Sequence, residues 1–106
     1  MAKKTIMLVC SAGMSTSLLV TKMQKAAEEK GIDSDIFAVS ASDADNQLAS
    51  KDVDVLLLGP QVRFMKADFE ERLEPKGIPL EVINMADYGM MNGEKVLQQA
   101  ITLIGE

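Results

Sequence analysis

The run Val9-Cys10-Ser11-Ala12-Gly13-Met14-Ser15-Thr16-Ser17 contains the only cysteine of a 106-residue chain that has no histidine at all. It lies between a short apolar segment and an amphipathic one, so the thiol falls where a strand should end and a helix begin. Backbone N–H groups and the helix dipole at such a junction favour negative charge, which suits a thiolate nucleophile. The same groups cradle a phosphate. Ser11, Ser15, Thr16 and Ser17 add hydroxyls, and Gly13 permits a tight turn. Nucleophile and anion seat together are the equipment of a cysteine that carries a phosphoryl group.

An ordinary structural use competes with this one. A free cysteine is among the commonest core residues, and Ser15 or Thr16 would serve as N-cap of the following helix. The small and polar character of the residues after Cys10 argues for the functional alternative. A cysteine, a small-residue loop and a helix also form the layout of low-molecular-weight tyrosine phosphatases. Those enzymes carry an arginine six residues after the cysteine to clamp the phosphate, where this chain has Thr16. They need an Asp-Pro acid as well, and the sequence has no Asp-Pro pair. Without the arginine the developing charge loses its strongest stabiliser. Such a loop is suited to holding a phosphoryl group and poorly equipped to hydrolyse it, which describes a carrier. A phosphatase-like hydrolase remains the alternative. A non-catalytic flavodoxin-like binding module is a third, disfavoured by the four aromatic residues of the whole chain.

Four strand-like runs separated by helical patterns must position this loop. Residues 5–9 read as a strand buried on both faces. Leu19, Met23, Ala26 and Ala27 then recur at helical spacing up to Gly31, a helix stop. Residues 36–39 read as a second strand and 42–49 as a weak helix. Residues 53–58 form the clearest strand, broken by Gly59-Pro60, and Val62, Met65, Phe69 and Leu73 stripe the helix after it. Residues 80–83 make a fourth strand. Residues 85–93 read as a loop, and Leu97, Ala100, Ile101 and Ile104 line a last helix. Strand followed by helix, four times, predicts an α/β fold: a four-stranded parallel sheet with helices on both faces. Ligands of such sheets bind at the carboxyl ends of the strands, near the switch in strand order. Those ends are Cys10, the Ser40 region, Gly59-Pro60 and the loop beginning at Asn84.

The length fits one domain over residues 1–106, with no linker, repeat or low-complexity tract. A net charge of -5 disfavours nucleic acid and anionic lipid as partners. The unpaired cysteine suits a reducing, cytoplasmic setting. Lys3-Lys4 and the apolar residues 6–9 are too short a pattern for an export signal, and no run approaches the roughly 20 residues that cross a bilayer. With no imidazole present and the acidic residues spread along helical faces, neither a metal site nor a cofactor is expected.

The segment from Val9 through Leu18-Leu19 resembles the active-site loop of the enzyme IIB component of the bacterial phosphotransferase system, lactose/cellobiose/chitobiose class. Leu57-Leu58-Gly59-Pro60-Gln61 and Tyr88-Gly89 resemble the same family at later strand ends, so the resemblance spans essentially the whole chain. It implies a phosphatase-like phosphate-binding loop after the first strand, and a cytoplasmic phosphotransferase subunit at the membrane only through its partner. A phosphohistidine on the IIA partner would pass its phosphoryl group to Cys10. Cys10 would in turn phosphorylate a β-linked disaccharide, of cellobiose, chitobiose or lactose type, bound by the membrane component IIC. By matching position Cys10 is the nucleophile, while Ser11, Ala12, Gly13, Met14, Ser15, Thr16 and Ser17 form the phosphate-binding loop. Gly59, Pro60, Gln61 and Tyr88 border the site. For Gly59-Pro60 the plainer role is a strand-to-helix turn, and for Tyr88 packing or partner contact. Met14 and the Met90-Met91 pair are expected to be exposed, Met65 to face the core.

Overall fold

The computed structural model describes residues 3–10 and 14–105, without the side chains of Met14 and Ser15. Four strands, β1 (Lys4–Cys10), β2 (Ser34–Ser40), β3 (Val55–Leu58) and β4 (Leu80–Val82), form one sheet in the order β2-β1-β3-β4. All three pairings are parallel, with Ile6 opposite Ile36 on one edge of β1 and opposite Val55 on the other. The expected four-stranded parallel α/β sheet is therefore present. The order reverses between β1 and β3, so the switch point lies where Cys10 and Gly59 leave the sheet.

Alternation along the central strands explains how both faces are covered. Ile6, Leu8, Val55 and Leu57 point to one side and pack against α1 (Met14–Glu29) and α5 (Gly93–Ile104) through Leu19, Met23, Val96, Leu97 and Ala100. Met7, Val9, Leu56 and Leu58 point to the other side, against α2 (Ala44–Ser50) and α3 (Lys66–Leu73) through Ala44, Leu48, Phe69 and Leu73. Strands buried on two faces need unbroken apolar runs, and β1 and β3 have them. Where α5 crosses α1 the backbones nearly touch. A Cβ built on Gly93 would stand 2.5 Å from the Lys22 carbonyl carbon and 2.7 Å from the Met23 nitrogen.

Helix ends follow local chemistry. Gly31, at φ +70°, closes α1 with Ile32 N–H donating to Ala27 O (2.9 Å) and Gly31 N–H to Glu28 O (3.2 Å). Three expectations need correction. First, α1 begins at Met14, so neither Ser15 nor Thr16 is its cap; both lie inside the first turn. Second, the stripe from Val62 to Leu73 is not one helix. Residues Pro60–Met65 form a 3-10 segment with Val62 at φ -116° and ψ 21°, and the α-helix starts only at Lys66. The i→i+3 bond from Val62 N–H to Gly59 O (3.0 Å) shows why spacing misleads here: apolar residues three apart stripe either kind of helix. Third, the loop read over residues 85–93 contains a short helix, α4 (Met85–Gly89). Asn84 caps it by accepting from Asp87 N–H at 3.1 Å, and Asn92 caps α5 by accepting from Lys95 N–H at 3.1 Å.

Candidate phosphoryl-carrying site

β1 delivers Cys10 to the carboxyl edge of the sheet, where its partner across the β2 ladder is Ser40. Cys10 is buried, at 2% exposed. Its Sγ lies 3.8 Å from the Val39 carbonyl oxygen. The first residue of α1 follows only four positions later, so the positive end of a 16-residue helix begins next to the strand that carries the sulfur. Ser11, Ala12 and Gly13, the centre of the expected phosphate loop, lie outside the described residues, as do the side chains of Met14 and Ser15. Ser17 is exposed on the next turn.

Thr16 is the point where the loop rejoins described structure. It is completely buried, the only such polar residue among those described. Its Oγ1 lies 3.1 Å from Tyr88 Oη, and Gln61 Nε2 donates to the same phenolic oxygen at 2.8 Å. Gln61 is thrown back over the sheet edge by the turn after β3. Gly59 precedes that turn in an extended conformation (φ -62°, ψ 149°), and Pro60 occupies the helix start. A Cβ on Gly59 would fall 2.8 Å from Gln61 Oε1 and 3.6 Å from Cys10 Cβ. The Gly59 position thus keeps its backbone close to both the cysteine and the glutamine side chain, in addition to making the turn.

Gly59, Gln61 and Tyr88 accordingly converge at the cysteine end of the sheet, and Thr16 joins them. Pro60 is buried in the turn. Tyr88 does pack in the α1/α5 core, but its hydroxyl also joins a polar cluster drawn from three separate elements. That part of its role had a faint sequence signal, the chain's single tyrosine four residues past Asn84, the cap of α4.

Among the described residues four large apolar side chains are exposed: Leu18, Phe64, Met85 and Met90, the last two at 60% and 75%. Each lies within eight residues after the carboxyl end of a strand. Phe64 and Leu18 were not expected there. Met91, grouped with Met90, instead packs against the α1/α5 core and is half-buried, with its backbone at φ 52°. Met85 is exposed and Met65 packs against the opposite core. Among the described residues, no three His, Cys, Asp or Glu side chains gather as a metal ligand set. No helix among them is long and apolar enough to cross a membrane.

The family described as "PTS system, Lactose/Cellobiose specific IIB subunit" matches residues 5–99. The galactose-specific EIIB component of Lactococcus lactis subsp. cremoris is 59% identical over 107 residues, covering 98% of this chain and 99% of its own. The oligo-beta-mannoside-specific EIIB component of Bacillus subtilis is 42% identical, with 95% and 96% covered. The solution structure of the cellobiose-specific phosphotransferase IIB component from Borrelia burgdorferi superimposes with a TM-score of 0.78 at 48% identity, covering 97% of this chain and 93% of that one. The lactose-specific IIB domain of Streptococcus pneumoniae shares the fold at a TM-score of 0.85 with only 15% identity, over 96% and 98% of the two chains.

Proposed function

This chain belongs to the lactose/cellobiose-specific IIB family of the phosphotransferase system, and we propose that within it Cys10 is the residue that carries the phosphoryl group. The observation that carries this reading is the place of Cys10, the one cysteine of the chain, at the switch point of a parallel sheet where a helix begins four residues on. In the first half-reaction the Cys10 thiolate attacks the phosphorus of a phosphohistidine on IIA. The S–P bond forms as the N–P bond breaks, and the imidazole nitrogen keeps the electron pair. In the second, a hydroxyl oxygen of the sugar held by IIC attacks the same phosphorus. The O–P bond forms, sulfur leaves as thiolate, and the hydroxyl proton passes to solvent or a base of the partner.

The chain's own part is to seat the oxyanions on the amides and hydroxyls of residues 11–17, with Gly59, Pro60, Gln61 and Tyr88 at the border. Having Thr16 where a phosphatase would have its arginine fits retention of the phosphoryl group over hydrolysis. Leu18, Phe64, Met85 and Met90 offer an apolar rim on which IIA and IIC can alternate, the methionines adapting to each. The sugar is a β-linked disaccharide of the cellobiose, chitobiose or lactose type, and the subunit works in the cytoplasm, at the membrane through IIC. Incubation with phosphorylated IIA should add one phosphoryl group to the intact mass of the chain, and Cys10→Ser should abolish sugar phosphorylation. An unmodified wild-type mass under those conditions refutes the carrier role. Steady release of inorganic phosphate from an aryl phosphate would instead favour the hydrolase.

A further inference from the structure

We infer that Tyr88 is a positioning residue for phosphoryl transfer, its hydroxyl fixing the far anchor of the loop that runs from Cys10 to Thr16; this rests on the carrier function proposed above. The near anchor is rigid because Cys10 ends a strand paired along both edges and buried on both faces. The far anchor, Thr16, sits in the first turn of α1, a place where a helix is otherwise free to shift or fray. There it is fully buried, with its Oγ1 3.1 Å from Tyr88 Oη. Tyr88 Oη also accepts from Gln61 Nε2 at 2.8 Å. The other end of the Gln61 amide, Oε1, lies against Gly59, which neighbours Cys10.

One phenolic oxygen therefore ties α1, the turn after β3 and α4 together on the side of the sheet where the sulfur emerges. Packing alone would be served by phenylalanine, since the ring of Tyr88 is already in the α1/α5 core. What the hydroxyl adds is a polar junction between residues 72 and 27 positions apart in sequence, buried at Thr16 and half-buried at the Gln61 bond. Only five residues, 11–15, separate the two anchors. A transition state that spreads charge over phosphoryl oxygens is stabilised by donors already in place, so the distance between anchors enters the rate directly.

The test is a single-turnover measurement with the full chain. Excess phosphorylated IIA is mixed with wild type, Tyr88→Phe, Gln61→Leu and the double variant, and the phosphorylated fraction is followed by intact mass. A first-order rate constant does not depend on how much of the sample is folded, which separates positioning from simple loss of stability. Tyr88→Phe should slow uptake about three- to tenfold, as removal of a neutral hydrogen bond implies, with the half-saturating concentration of phosphorylated IIA unchanged. Gln61→Leu should slow it less, and the double variant should be no slower than Tyr88→Phe alone. A Tyr88→Phe rate equal to wild type overturns the inference, as does a double variant slowed by the product of the single effects. If Tyr88→Phe does not unfold cooperatively, Gln61→Leu decides, a rate equal to wild type again overturning the inference. A wild-type chain that takes up no phosphoryl group removes the carrier function itself, whereas a phosphorylated wild type with an equally fast Tyr88→Phe removes only the role of Tyr88.

Discussion

Replacing Gly93 by alanine gives the sharpest test of how the site is supported, because two effects of opposite sign compete there. Gly93 opens α5 at a φ that any residue can adopt, so by propensity alone alanine would stabilise, by up to about 1 kcal/mol. Space decides otherwise. The added Cβ would lie 2.5 Å from the Lys22 carbonyl carbon and 2.7 Å from both Lys22 Cβ and Met23 N. These are mostly backbone atoms in the middle of α1, so no side chain can swing aside. An ordinary contact of 3.4 Å requires α5 to retreat by about 0.9 Å. That retreat loosens Val96, Leu97 and Ala100 from Leu19, Met23 and Ala26. Overpacking of this kind costs about 1–3 kcal/mol. For a domain of this size that lowers Tm by roughly 4–12 °C. Gly89→Ala is the control, since a Cβ there meets nothing within 4 Å and its φ is not positive. Thermal unfolding followed by circular dichroism should show Gly93→Ala clearly below wild type and Gly89→Ala level with or above it. A Gly93→Ala variant as stable as wild type would refute the close α1/α5 crossing.

Gly59→Ala should fold with a Tm near wild type, because its closest clash, at 2.8 Å, is with the movable end of Gln61. The displaced amide leaves Tyr88, so phosphoryl uptake should slow several-fold by mass spectrometry. Glu81 is held below the ordinary carboxylate range by the Val82 N–H that donates to Oε1 at 3.0 Å, and further by Lys66 Nζ at 3.2 Å. A lowered folded-state value means that its contribution to stability is present above the ordinary carboxylate pKa and is lost as pH falls through the lowered one. The margin of wild type over Glu81→Gln, well under about 1 kcal/mol for so exposed a pair, should therefore be present in urea melts at pH 7 and shrink as pH falls below the ordinary carboxylate range.

The sheet was legible because its signals are strong and local. Strands such as Val55–Leu58 are unbroken apolar runs, and Gly31 and Gly59-Pro60 punctuate them. The place of Cys10 was legible because the single cysteine follows directly on an apolar run that had to end as a strand. What the sequence concealed came from two sources. Short helices carry little periodicity, so the five residues of α4 passed for loop, although Asn84 and Asn92 stood as caps. The Thr16–Tyr88–Gln61 junction was hidden because its members are far apart in the chain; only the strand order brings them together. Thr16 shows this best. Read locally it was a plausible helix cap, yet its hydroxyl is committed to a partner 72 residues away.

The position of β1 limits how the protein can move during its work. A strand with ladders on both edges and side chains locked into two separate cores cannot open locally; it comes apart only with the molecule. Its terminal sulfur is thus a stationary target. Under the carrier function proposed above, any travel that separates one exchange of cargo from the next has to be made by the visiting proteins, which must each carry their reacting atom to the same fixed address.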